Sequence, residues 1–245
     1  REWVLGEDGE KAKKITDIPT DVKRYRAWDK AYTEPSKENP QVDYTAASPE
    51  ILKDKDGFFW IIGNYAPSNY DPEYEGKPDS DKIYGRFRRL AGARDNLILS
   101  QALYDGDDTT VILTKDSGSG LTDHTYTVGK LIGEGVNVTE DKSPSNTPDK
   151  KMKDFQPFCN ACSSGLVYIV PDSFPNAKTL EAWLKEHENF DPNKKSTTAR
   201  KDDWVDATGT AFNTVAQSKV LVTPKYHSLS NYKTLASDLL SSRRF

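Results

Sequence analysis

Acidic residues in separated parts of the chain are the groups that could do chemistry. Asp29 lies in Arg24-Tyr25-Arg26-Ala27-Trp28-Asp29-Lys30-Ala31-Tyr32-Thr33, directly after a strand-forming run with aromatics at Tyr25 and Trp28. A carboxylate carried into a sheet must be paired, neutralised or bound to a metal, because desolvation otherwise costs several kcal/mol. Asp116 follows the β-branched run Thr109-Thr110-Val111-Ile112-Leu113-Thr114, at the strand end where open α/β sheets place their ligands. Asp202, Asp203 and Asp206 open a late helical segment, where positions three apart share a face with Cβ atoms about 5–6 Å apart. Carboxylates within ~4 Å repel by ~4 kcal/mol at an effective dielectric of ~20. Cations or protonation would relieve that repulsion. Oxygen ligands without a Cys/His set favour Mg²⁺ or Mn²⁺. Two such ions, about 3.5–4 Å apart, would activate a water and stabilise the leaving oxygen of a phosphodiester.

Each position also has a plainer reading. Asp29 fits a solvated strand end. Asp116 before Ser-Gly-Ser-Gly fits a turn. Asp202 and Asp203 suit a helix N-terminus through capping and the macrodipole. The chemical reading therefore rests on their occurring together.

The elements that must position them follow from periodicity. Strands are expected at about 22–30, 43–52 and 58–63, the last two joined by the turn Lys53-Asp54-Lys55-Asp56-Gly57. These form an antiparallel meander. A Pro/Asp/Tyr-rich loop spans 65–78, and Ser80 caps a long helix over about 80–104, weakened by Gly92. A strand at 109–114, a helix at 122–132 and a short strand at 136–138 come next. A charged loop covers 139–149, then a helix about 151–163 and a strand 166–170. A helix contains Leu180 to Leu184, a mobile basic loop covers 191–201, and a helix at 202–217 turns Trp204, Val205, Thr208, Phe212 and Val215 inward. The pattern gives an α/β fold with a mixed central sheet, antiparallel meander plus parallel strands, flanked by helices. The order β-β-β-α-β-α fits a ribonuclease H-like sheet by analogy.

The 245 residues carry a net charge of −4, which argues against a strongly basic nucleic-acid coat but allows a local basic groove. No apolar run approaches the roughly 20 residues that span a bilayer, and no signal peptide is visible. Arg1 rather than Met opens the chain, which suggests a piece of a longer protein. The two cysteines, Cys159 and Cys162, form one Cys-x-x-Cys without the second pair of a structural zinc site. They read as reduced and structural, consistent with an intracellular protein.

The chain resembles the C-terminal nuclease domain of phage terminase large subunits, motors that package and cut DNA. Arg26 to Thr33 is similar to that family's first metal-binding strand, and Asp43-Tyr44-Thr45-Ala46 to the hairpin element after it. Ala102-Leu103-Tyr104-Asp105-Gly106 and Val111 through Gly120 resemble its second acidic strand and Gly-rich turn. Lys150 to Val167 resembles its Lys-helix-Gly-strand segment, and Asp202-Asp203-Trp204-Val205-Asp206-Ala207 its acidic C-terminal helix. The five stretches run in order over about 22–217. The resemblance implies a ribonuclease H-like endonuclease that cuts double-stranded viral DNA with two Mg²⁺ or Mn²⁺ ions. Asp29, Asp116 and Asp206 would be the catalytic metal ligands, Asp203 an auxiliary one and Asp43 a second-tier acid. Asp116 stands where many members have Glu, which shortens its reach, and Asp154 where the family often has Arg. No Walker A stretch is present. The packaging ATPase domain would therefore precede a linker at 1–21, with the nuclease domain at 22–245. Portal and small terminase subunit would be the other partners, and the host cytoplasm, transiently at the procapsid portal, the location, with no membrane.

Phosphates dominate DNA affinity, so contacts are expected from basic residues near the carboxylates. Candidates are Lys30, Lys37, Lys115, Lys194, Lys195, Arg200 and Lys201. Two other classes remain open: a ribonuclease H-like resolvase or transposase with the same carboxylates, and a non-enzymatic viral adaptor with Ca²⁺-binding acidic patches.

Overall fold

The computed structural model describes residues 13–39, 42–115, 120–142, 148–193 and 201–218. Its centre is a curled eight-stranded mixed sheet. Strand β1 (Arg24–Asp29) lies inside it. On one side β1 runs parallel to β6 (Thr109–Lys115), and β6 parallel to β7 (Val138–Lys142). On the other side β1 meets β2 (Thr45–Ala47) and β3 (Glu50–Lys53), both antiparallel. These two are one run of chain bent at Ser48-Pro49. Proline lacks an N–H for the ladder, which explains the break. Ser48 mends it: its hydroxyl accepts the Ala27 N–H at 3.0 Å while its own N–H donates to the Ala27 carbonyl at 2.8 Å. Strand β4 (Phe59–Ile62) pairs antiparallel with β3, and β8 (Val167–Val170) pairs parallel with β4.

The β3–β4 turn is fixed by Asp54. Its carboxylate accepts the N–H groups of Asp56 and Phe58 and the indole N–H of Trp60 at 2.8–2.9 Å. The expected meander is therefore present.

Among the described residues five helices flank the sheet: α1 (Ala91–Asp105), α2 (Gly120–Gly133), α3 (Pro148–Ser163), α4 (Ala177–Glu188) and α5 (Asp203–Gln217). Helix α5 lies across β1, β2 and β3 and along α3. Its residues Trp204, Val205, Thr208, Phe212 and Val215 are buried as expected, and so are Asp203, Ala207, Gly209, Thr210 and Ala211. At Gly209 the helix runs close to α3: a Cβ there would stand 3.4 Å from the Asp154 carbonyl oxygen, in ordinary van der Waals contact. Asn213 donates to that same oxygen at 2.8 Å.

The helix expected over 80–104 begins only at Ala91. Upstream, Gly85 adopts φ +89°, and any Cβ there would meet the Tyr65 ring at 2.6 Å. Arg86–Phe87 then forms β5, a short antiparallel partner of β2. Ile83 and Phe87 matched helical spacing, yet Phe87 is buried from extended chain against Trp28. Gly92 falls in the first turn of α1 and not in its middle. Strand β7 lies further along than 136–138 and takes in residues read as charged loop. Charged residues suit an edge strand.

The first described residues belong to the folded body. Ile18 and Val22 pack on Leu52, Trp60, Ile62 and Val170, and Lys13 sits 4.7 Å above the Tyr168 ring. The part of the expected linker from Lys13 onward therefore docks on the sheet. Residues 1–12 and the tail from 219 lie outside the described residues, as does most of the basic loop at 191–201. Cys159 and Cys162 are free thiols, and burial pushes Cys162 up to about 12. Among the described residues no helix is long and apolar enough to cross a membrane.

Two glycines should respond in opposite ways. A Cβ at Gly63 would overlap the Phe174 ring, whereas nothing lies within 4 Å of one at Gly92. Gly63→Ala is expected to cost about 1–3 kcal/mol in urea unfolding by overpacking. Gly92→Ala is expected to gain roughly 0.5–1 kcal/mol as a helix former. Equal stability of the two variants would refute the described packing.

Candidate functional site

Asp29 is the last residue of β1, beside Ala46 of β2. The parallel register pairs Trp28 with Leu113, and one step further Asp29 faces the row of Thr114 on β6. Thr114 in turn pairs with Asp141 on β7. Neighbouring residues in a ladder point to the same face, so Asp29, Thr114 and Asp141 share one. At β1 that face is the one α5 covers.

The N-terminus of α5 is held there from outside the helix. Glu186 of α4 accepts the Trp204 N–H at 2.7 Å, and its other oxygen binds Arg86 at 2.9 Å. The Arg86 guanidinium lies 4.3 Å above the Trp204 ring, whose indole N–H donates to the Gly85 carbonyl at 3.2 Å. Glu186 thus supplies a capping acceptor at the positive end of the helix dipole. Burial nevertheless pushes its carboxyl up to about 7, against the pull of Arg86.

With α5 fixed, its first turn turns acids toward β1. Asp202 and Asp206, four residues apart, are clamped by Lys151 of α3. The ammonium donates to one oxygen of Asp202 at 2.7 Å and of Asp206 at 2.6 Å. Asp203 is buried, and its Oδ2 has no hydrogen-bond partner. Burial raises Asp29 well above the usual carboxylate range, and the charges of Asp206 and Asp203 raise it further, with Lys151 opposing. Burial also carries Asp206 up to about 6 despite Lys151. Burial and then Glu186 raise Asp203. Burial alone would lower Lys151, but Asp206 and Asp202 outweigh it and leave the ammonium raised. Asp29, Asp202 and Asp206 therefore face the Lys151 ammonium, while Lys201 is the cation that opposes the raising of Asp203.

Of the expected ligands, Asp29, Asp203 and Asp206 fall in one electrostatic neighbourhood, whereas Asp116 lies outside the described residues. Among the described residues no group of three or more His, Cys, Asp or Glu is arranged to hold a metal ion as it stands. The donor chemistry itself is carboxylate oxygen, with a buried oxygen of Asp203 left unpaired, and this suits a hard divalent cation. Asp43 is exposed and pairs with Lys201 at 2.8 Å. Asp154 lends its carbonyl to α5 through Asn213 and its charge to the raised Asp206.

The expected DNA contacts fare differently. Lys30 is only 4% exposed. It binds Thr127 at 2.6 Å and Asp123 at 2.8 Å, with Asp95 at 3.6 Å. A side chain so enclosed offers a phosphate nothing, and its role here is structural. Lys201 is committed to Asp43. Lys37 is exposed. Lys194, Lys195 and Arg200 lie outside the described residues, as does the side chain of Lys115.

Lys151, Glu186 and Asp141 escaped the sequence reading. Lys151 had only its place in a lysine-rich helix start, with nothing to tie it to Asp202 across 51 positions. Glu186 looked like an ordinary exposed helix residue, and Asp141 fell in a segment read as loop.

The raised carboxyls set a sign for pH dependence. An acid with a raised folded pKa contributes stability that is complete below its unfolded value and is lost as pH rises through the folded one. For Asp206 that window runs from about 4 to about 6. In EDTA, Asp29→Asn removes a charge that faces Asp206 and Asp203. It should match wild type at pH 5 and melt a few degrees higher at pH 8. A variant that melts no higher at pH 8 would show that these carboxyls do not repel one another.

No protein-family model matches the chain, and no curated protein matches its sequence. The acids, Lys151 and the sheet beneath them are therefore the ground for reading its function.

Proposed function

We propose that this chain is a divalent-metal-dependent DNA endonuclease of ribonuclease H-like design, the cutting domain of a viral packaging terminase. The observation that carries the enzymatic reading is the placement of buried acids together: a late helix laid over the first strand sets Asp206 and Asp203 against Asp29 at that strand's end, where burial and then their charges raise it. The strand arrangement supports the same design. Strands β7, β6 and β1 run parallel, and the bent β2/β3 and β4 continue the sheet antiparallel. Support for the terminase reading comes from the five ordered stretches of sequence resemblance.

In this reading Asp29, Asp206 and Asp203, with Asp116, would hold one or two Mg²⁺ or Mn²⁺ ions. Such ions, when bound, polarise an attacking water and steady the departing 3′ oxygen. The chain supplies the positioning. Glu186, Arg86 and Trp204 fix where α5 begins, and the Ser48 bridge keeps β2 alongside Asp29. Double-stranded DNA is the substrate, and a packaging ATPase domain, a portal ring and a small terminase subunit are the partners that would hold it.

The test is nicking of supercoiled plasmid. The protein should cut with Mn²⁺ or Mg²⁺ and fall silent in EDTA. Asp29→Asn, Asp206→Asn and Asp116→Asn should each slow cutting by at least ~10²-fold. Unchanged cutting by all three variants would remove the proposal.

A further inference from the structure

Lys151 is the one cation that bonds Asp202 and Asp206 among the described residues. Both bonds are short, and the ammonium also opposes the raising of Asp29. A permanent structural pair would have its charges balanced. Here Asp203 remains, one-twentieth exposed, with Oδ2 unpartnered. Lys151 is fully engaged by Asp202 and Asp206, and Lys201, which acts on Asp203 from its pair with Asp43, leaves the Asp203 Oδ2 without a hydrogen bond. Lysine is suited to a temporary role, because its point charge rides on a flexible four-carbon stem and makes no bidentate fork. Part of the Lys151 side chain is open to solvent, so it has somewhere to go.

We propose that Lys151 is a built-in stand-in for a divalent cation, which it must yield to when the metal binds. The inference rests on the metal-site reading above and adds to it an internal competitor. In metal-free protein the ammonium holds Asp202 and Asp206 and keeps the first turn of α5 from repelling itself. Asp206 and the unpaired carboxylate of Asp203 would be the residues to hold a divalent ion, and Lys151 would release Asp206 to it. Metal affinity is therefore set below what the carboxylates alone would give. The same lysine keeps the site formed while it waits.

The test is Mn²⁺ titration by calorimetry at pH 8, above the value of about 6 for Asp206. Lys151→Met should bind Mn²⁺ about tenfold more tightly than wild type, the scale on which neighbours of metal ligands act. Lys151→Arg keeps the charge and should bind like wild type or more weakly. Lys153→Met, an exposed lysine on the same helix, should change nothing. Thermal melting separates this from a damaged fold. Lys151→Met should melt lower than wild type in EDTA, and the gap should close at saturating Mn²⁺. Equal or weaker Mn²⁺ binding by Lys151→Met, with wild type binding normally, overturns the stand-in and leaves the nuclease reading intact. Failure of wild type to bind Mn²⁺ at all overturns both.

Discussion

Helix α5 is buried on nearly every side, and its N-terminus brings three aspartates with it. Nothing else among the described residues forces so many acids into so little solvent. The helix is long enough in apolar and small residues to be held regardless: Trp204, Phe212, Ala211 and Val215 fill the space over β1–β3, and α3 packs along it. The position of Asp206 beside Asp29 is thus decided by packing at a distance from the acids. The unfavourable electrostatics are imposed by an apolar interface large enough to tolerate them.

Two other buried ionic groups make the contrast plain. Arg26 binds Asp105 at 2.6 Å, the carbonyls of Ser48 and Asn64, and Glu50, which also takes Arg24 at 3.1 Å. Lys30 and Arg94 share Asp95 and Asp123. Each network sets two cations against two carboxylates. Each ties elements together, the first joining β1 to the bend after β2 and to α1, the second joining β1 to α1 and α2. Both are structural by their own arithmetic, because buried ions must be matched or they destabilise. Around Lys151 the match fails, with Asp29, Asp202 and Asp206 against one ammonium and the buried Asp203 beside them left with only the Asp43-bound Lys201. Strongly shifted carboxyls also mark functional sites more often than scaffolds. Within one domain, then, charge balance separates groups that hold the fold from groups that the fold holds.

Much of this was legible in the chain. The meander, β6, α2, α3 and α5 follow from period and turn chemistry, and the acids at 29, 203 and 206 stood out because they sat where propensity disfavours or caps. What failed did so for local reasons. The stretch 80–90 has helical spacing, but Gly85 needs a positive φ and Phe87 pairs with Thr45 across 42 positions, which no window of neighbours contains. Strand β7 is polar because it lies at an edge, so its residues read as loop. Lys30 follows Asp29 and looked like a phosphate contact. Strand alternation instead sends it to the opposite face, under α1 and α2. Lys151 and Glu186 are the deepest omission, since each acts on α5 from another helix, and only the packed structure joins them.

That omission has a common cause. The sequence displays groups that are unusual where they stand, such as an aspartate at a strand end. It hides groups that are ordinary where they stand and unusual only in what they meet. Lys151 is an unremarkable residue at the start of an amphipathic helix, yet it is the ammonium between Asp202 and Asp206. Glu186 is an unremarkable helix residue, yet burial against the first turn of α5 brings it to about 7. In both cases the partner is α5, and the same buried helix that creates the acidic excess also recruits what restrains it. A site built in this way depends less on the identity of any single acid than on α5 keeping its place. The residues that fix its N-terminus, Glu186, Arg86 and Trp204, therefore belong to the chemistry as much as the carboxylates do.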